Sequence, residues 1–361
     1  MIERRIENRQ IAAIFTLFLM AQMIGLFILV LGLPYAFQLE NIATSPTSAI
    51  STIFALILDV IIAVLILMLM LRMYKNGVMF KILEAYIVLL GSGALFYLFV
   101  MSFFGGFISL TEGFVAAAAL SILLLLIKSK LKENPRVRNI TTIFSSVGMG
   151  ILIGVGIGNI LLLYLLIAAF AIYDYVAVFV LKFMLPLAKQ AVNMNLAFML
   201  NSSDMEAVPK KEFTPKERKE FSEFLKKNKH YSEHVKEITK MGSIPSVSSI
   251  MLGNGDIMLP LAVAAGAYAA TANIFLSVLI VIFSGLGVIS TMIILRKYKV
   301  GLPAIPPLFS FISIAFALFF ILEQPNEVFY ILIFILAAIL SMSALLFTLR
   351  RIIKKQKLLV K

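Results

Sequence analysis

The sequence predicts an all-α, polytopic transmembrane helical bundle. Three observations carry that prediction: the composition, a series of apolar runs of membrane-spanning length, and the placement of the basic residues. Of 361 residues, 61% are hydrophobic and 14% charged, and the mean hydropathy is +1.00. A soluble domain runs nearer 45–50% apolar and about 25% charged. The excess is more than one water-soluble core can hide, so lipid is the solvent for most of the chain. That excludes a cytosolic enzyme, a disulfide-stapled secreted domain and a disordered tail. The chain has no cysteine, which excludes only disulfides and thiol chemistry.

Crossing about 30 Å of hydrocarbon takes roughly 17–25 apolar residues. Ten such runs occur, at 11–33, 49–71, 83–104, 109–127, 139–157, 160–181, 250–270, 273–295, 303–322 and 328–349. Only Gly156-Ile157-Gly158-Asn159 separates the fifth from the sixth, and only Thr271-Ala272 the seventh from the eighth. Links that short force antiparallel helical hairpins. In the fifth run Ser146, Gly150, Gly154 and Gly158 recur at four-residue spacing, the pattern of a close helix–helix contact.

All 32 Lys and Arg residues fall in alternate segments, 1–10, 72–82, 128–138, 182–249, 296–302 and 350–361. The intervening loops hold none. A cytoplasmic excess of basic residues sets orientation, so both termini are expected in the cytoplasm of a multi-pass cell-membrane protein. The net charge of +13 then reports topology and contact with acidic lipid headgroups, with no call for nucleic acid. Arg4, Arg5 and Arg9 precede the first run as in a signal peptide. That run exceeds twenty residues and lacks a small-residue cleavage site, so it reads as an uncleaved span.

Four segments follow: an N-terminal membrane bundle (1–185), a cytoplasmic polar insertion (186–249), a second membrane segment (250–322), and a last span with a basic tail (323–361). The insertion carries Pro186, Pro209, Pro215 and Pro245 among Lys and Glu. It reads as flexible, with a solvated helix over 216–240.

A charge in mid-bilayer is costly. Of the 19 acidic residues, only Asp59, Asp174 and Asp256 fall clearly within spans; Glu84 and Glu112 lie near span ends, where water is within reach. Asp174 precedes the inner end of an inward-running span, and Asp256 follows the start of the next, outward-running one. At 1.5 Å per residue, both sit roughly 9–12 Å from the cytoplasmic edge, so the two carboxyls can face each other. Asp59 has no partner at its depth and reads as a residue bonding to a neighbouring helix. Two carboxyls sharing a proton can work as acid and base on water and a peptide carbonyl. Transporters also place carboxylates at matching depth, so geometry alone leaves both readings open.

The local sequences sharpen the choice. Asp174 stands in Tyr173-Asp174, Asp256 in Gly253-Asn254-Gly255-Asp256, and Pro303-Ala304-Ile305 opens the ninth run. Together these resemble the YD, GxGD and PAL motifs of the presenilin and signal peptide peptidase family of intramembrane aspartyl proteases, in a homologue of prokaryotic or archaeal type. The resemblance covers the first nine spans. It implies the presenilin-type bundle of nine spans, here with an extra C-terminal span. It implies Asp174 and Asp256 as the catalytic pair, and site-shaping roles for Tyr173, Gly253, Gly255, Pro303, Ala304 and Ile305. It implies no metal and no cofactor, and transmembrane-helix substrates or signal-peptide remnants, with a homo-oligomer left open. Cleaving a helix requires local unwinding and acceptors for the freed backbone groups. Extended pairing near Pro303 and before Gly253 is the implied means. Ile305 stands where the family has Leu, and the insertion stands where presenilins are cut in two.

Other readings compete. His230-Tyr231-Ser232-Glu233-His234 fits an H-x-x-E-H zinc pattern, with Glu237 one turn on, but its Lys/Glu-rich setting lacks the apolar core of a metal site. A secondary transporter or ion channel suits intramembrane aspartates; it calls for an inverted repeat, and each motif here occurs once. The prepilin peptidase group also uses a GxGD aspartate, but fits the other two motifs poorly.

Overall fold

The structure, a computed structural model, describes residues 8–43, 77–131, 134–181, 194, 196–209, 243–298 and 302–359. The second apolar run with Asp59, the expected helix at 216–240, and His230 and His234 lie outside those residues.

Nine helices occur among the described residues: α1 (Asn8–Ala43), α2 (Gly77–Phe104), α3 (Leu110–Lys130), α4 (Pro135–Ile157), α5 (Ile160–Tyr175), α6 (Asn254–Thr271), α7 (Ile274–Tyr298), α8 (Ile305–Glu323) and α9 (Val328–Leu359). Eight are long and apolar enough to cross a membrane; α6, which opens on Asn254-Gly255-Asp256, is the ninth. The chain is thus a polytopic helical membrane bundle.

The helix ends follow from local chemistry. Ser109 and Glu112 form a reciprocal capping box at the start of α3, satisfying donors that a helix leaves unpaired. Gly158 ends α4 at φ +56, a left-handed angle suited to glycine. The side chain of Asn159 then accepts from the Leu161 and Leu162 N–H groups and starts α5. The second expected hairpin behaves alike. Ala272 turns the chain at φ +53, and the Asn273 side chain accepts from the Phe275 N–H.

The bundle centre is a sandwich of α2, α4 and α6. A Cβ on Gly148 of α4 would lie 1.7 Å from the Gly91 carbonyl oxygen of α2. On the other side, a Cβ on Gly154 would lie 2.4 Å from the Ala262 carbonyl oxygen of α6, and one on Gly150 2.9 Å from that of Met258. Gly150 and Gly154 of the four-residue spacing read in the sequence therefore make the α4–α6 contact. Without a hydrophobic force between helices in lipid, such close backbone approach is what dispersion requires. A second cluster joins α5, α6, α7, α8 and α9 around Tyr164, whose hydroxyl is 2.8 Å from that of Ser313.

Two expectations change. Two stretches of the polar insertion are extended: β1 (Met199–Pro209) and β2 (Ser243–Gly253) pair antiparallel, Met199 opposite Gly253. The seventh span therefore begins at Asn254, four residues later than its apolar run, because Ile250 to Gly253 belong to a strand. Apolarity alone cannot separate a short buried strand from the start of a helix.

Candidate active site

Asp174 sits in the last turn of α5, where the helix changes to a π-helical turn over Val176–Val180. Such widened turns interrupt the regular ladder and recur at functional sites. Asp174 is 8% exposed, and its carboxylate accepts from the Ile305 N–H at 3.1 Å. That N–H belongs to the first turn of α8, where no intrahelical acceptor exists. The Pro303-Ala304-Ile305 segment is thus joined to Asp174 by its backbone.

Asp256 is the third residue of α6, and its carboxylate accepts from the Gly253 N–H at 3.1 Å. It is only partly covered. The sequence placed it about one and a half turns into a helix; the strand–helix junction puts it at a helix N-terminus instead. Four residues on, Pro260 supplies no N–H to the Asp256 carbonyl, which loosens this first stretch of α6.

Both carboxyls line one cavity of 580 Å³. Its walls are mostly apolar and come from α2, α4, α5, α7, the strand ends and the approach to α8. Gly253, Gly255, Ala304 and Ile305 line it as well. A Cβ on Gly255 would meet nothing within 4 Å, so the glycine there enlarges the cavity beside Asp256. Tyr173 and Pro303 do not line it. Tyr173 is half-buried next to Asp174, and Pro303 is buried next to Ala304.

Two supports went unseen in the sequence. Glu84 was expected to reach water; instead it is buried and ion-paired with Lys128 of α3. The same carboxylate accepts the Ala197 N–H. One residue on, the Phe198 carbonyl accepts from the Asn254 N–H at 2.9 Å. A polar chain thus runs from the α2–α3 pair to the turn that carries Asp256. Gln22 of α1, fully buried, donates through Nε2 to the Ile257 carbonyl at 2.8 Å. A lone Gln inside an apolar run was the available signal.

A family profile described as signal-peptide peptidase, presenilin aspartyl protease, matches residues 15–322. No curated protein matches the chain. The matched stretch runs from within α1 to the last turn of α8 and takes in Asp174, Asp256 and the Pro303-Ala304-Ile305 segment; α9 lies beyond it. This multi-pass membrane chain belongs to the signal-peptide peptidase and presenilin family of aspartyl proteases.

Proposed function

We propose that the chain is an intramembrane endopeptidase that hydrolyses peptide bonds within transmembrane helices or signal-peptide remnants, with Asp174 and Asp256 as its catalytic pair. One observation carries this reading: the two carboxyls line one cavity.

The chemistry follows from the pair acting as one unit. One carboxylate takes a proton from water, whose oxygen attacks the scissile carbonyl carbon. The other carboxyl gives its proton to the carbonyl oxygen. The tetrahedral intermediate collapses when the first carboxyl passes its new proton to the amide nitrogen and the C–N bond breaks, while a hydroxyl of the intermediate returns a proton to the second carboxylate, restoring the pair. The largely apolar wall limits water and strengthens the electrostatic interactions within.

The substrate arrives as a helix and is cut as an extended strand. Ser243–Gly253 is already extended up to the residue Asp256 caps, and residues 302–304 are irregular. An unwound substrate segment adds its backbone there and regains the hydrogen bonds lost on leaving the helix. The basic segments face the cytoplasm and meet acidic lipid headgroups, which puts both termini inside.

The test is cleavage of a synthetic single-span peptide by the purified protein in liposomes. Asp174→Ala and Asp256→Ala should each lower the rate on the order of 10²–10⁴-fold, while Asp59→Ala should cleave as wild type does. Cleavage that survives loss of Asp174 or Asp256 would overturn the assignment. Ion flux across the same liposomes without any cleavage would favour a transporter.

A further inference from the structure

The reading above leaves α9 without a task. It lies beyond the residues the family profile matches, and its apolar window is only 17% buried. Its inward stripe nevertheless runs Phe334, Ala338, Ser341, Leu345, Thr348, in alternating steps of four and three residues. That is the spacing of a helix–helix seam. Phe334, Ala338 and Leu345 are buried, so the stripe is packed.

The two polar members of the stripe reach out from α9. Ser341 Oγ donates to the Pro306 carbonyl at 3.0 Å, and the Thr348 and Tyr175 hydroxyls are hydrogen-bonded. Pro306 directly follows Ile305, whose N–H donates to Asp174, and Tyr175 directly follows Asp174. Each bond from α9 therefore lands one residue from one end of the Asp174–Ile305 hydrogen bond. Both residues border irregular backbone. Tyr175 leads into the π-helical turn, and Pro306 lies in the first turn of α8, after an irregular approach. Neither Ser341 nor Thr348 lines the cavity.

We infer that α9 is a positioning element of the active site, a strap in which Ser341 and Thr348 hold the α5 and α8 ends together and keep Asp174 on the Ile305 N–H. The inference rests on the proposed catalytic role of Asp174. A residue acting this way shapes the reacting geometry without touching substrate, so its loss falls on kcat and leaves KM in place.

The experiment uses the full chain in liposomes with the same synthetic peptide, reading kcat, KM and Tm. Thr348→Val and Ser341→Ala should each lower kcat about three- to tenfold at unchanged KM, the reach of one interhelical hydrogen bond in a membrane. Thr348→Ser, which keeps the hydroxyl, should restore kcat. Tyr175→Phe should match Thr348→Val, and the double variant should be no worse than either single one. Should Ser341→Ala fold poorly, the Tyr175–Thr348 cycle carries the test alone. Ser343→Ala is the control, because Ser343 is exposed and bonds only within its own helix. Wild-type kcat in Thr348→Val and Tyr175→Phe would overturn the strap while the aspartate variants remain inactive. A loss of kcat that Thr348→Ser fails to restore would overturn it as well. Cleavage persisting in Asp174→Ala would overturn the catalytic reading, and the strap with it.

Discussion

Helices α6 and α9 are both apolar, yet they stand in the bundle in opposite ways. In α6 nearly every residue from Ile257 to Ala267 is buried, and α4 presses on it closely enough that glycine is required. In α9 much of the surface faces outward, with Leu336, Ile339 and Leu340 each more than half exposed. The centre is specified by shape, where one added methyl group has nowhere to go. The edge is specified by a narrow stripe with two hydroxyls on it, and most of its residues are free to vary among apolar types. In lipid this difference is sharper than in water, because burying an apolar side chain against protein gains only packing over burying it against acyl chains.

The comparison can be stressed from the strongest contact downward. Glu84→Ala should have the largest effect on stability. It strands Lys128 in an apolar setting, and removal of one partner of a buried pair costs about 3–5 kcal/mol. It also frees the Ala197 N–H beneath the α6 start, so peptide cleavage should fall further than the stability loss explains. Thermal unfolding beside kcat reads both. Gly154→Ala comes next. Its Cβ would meet the Ala262 carbonyl and the Gly266 nitrogen, both backbone atoms that cannot swing aside, and overpacking of this kind costs about 1–3 kcal/mol. Leu336→Ala in α9 is the matched edge substitution. It should change stability by less than about 0.5 kcal/mol, and a loss as large as that of Gly154→Ala would erase the contrast between the two helices.

The smallest expected effect has the opposite sign. Ala272, at the end of α6, holds φ +53, a left-handed angle that strains a residue with a Cβ by roughly 1 kcal/mol. Ala272→Gly removes that strain and adds some freedom to the unfolded chain, so a net gain of a few tenths of a kcal/mol is expected. A higher Tm checks it. A lower one would mean that the Ala272 methyl makes contacts worth more than the strain.

Much of this molecule was legible before any coordinates. Among the described residues the spans, both hairpin turns and the glycine face of α4 follow from patterns confined to short stretches of chain. Asp174 and Asp256, which the sequence places at one depth, line one cavity. The premise of that placement changed, because Asp256 lies at a helix N-terminus beneath a strand and not within a continuous span. Residues 243–253 mix Ser, Pro and apolar side chains without a helical period, and whether they extend depends on the partner strand 199–209. Nothing local to either stretch announces that partner.

The sequence by itself determined that the chain lives in lipid, where its two tight hairpins turn, and which two acidic residues come to line one cavity. It could do so because the bilayer imposes length, apolarity and charge placement on each span separately. Only the tertiary structure decided what supports those residues. Glu84 pairs with Lys128 and not with water, Gln22 holds the Ile257 carbonyl, and Ser341 and Thr348 bridge to the flanks of Asp174. Each of those is a bond between side chains and backbone distant in the chain, and the period of one helix carries no information about which helix will lie against it.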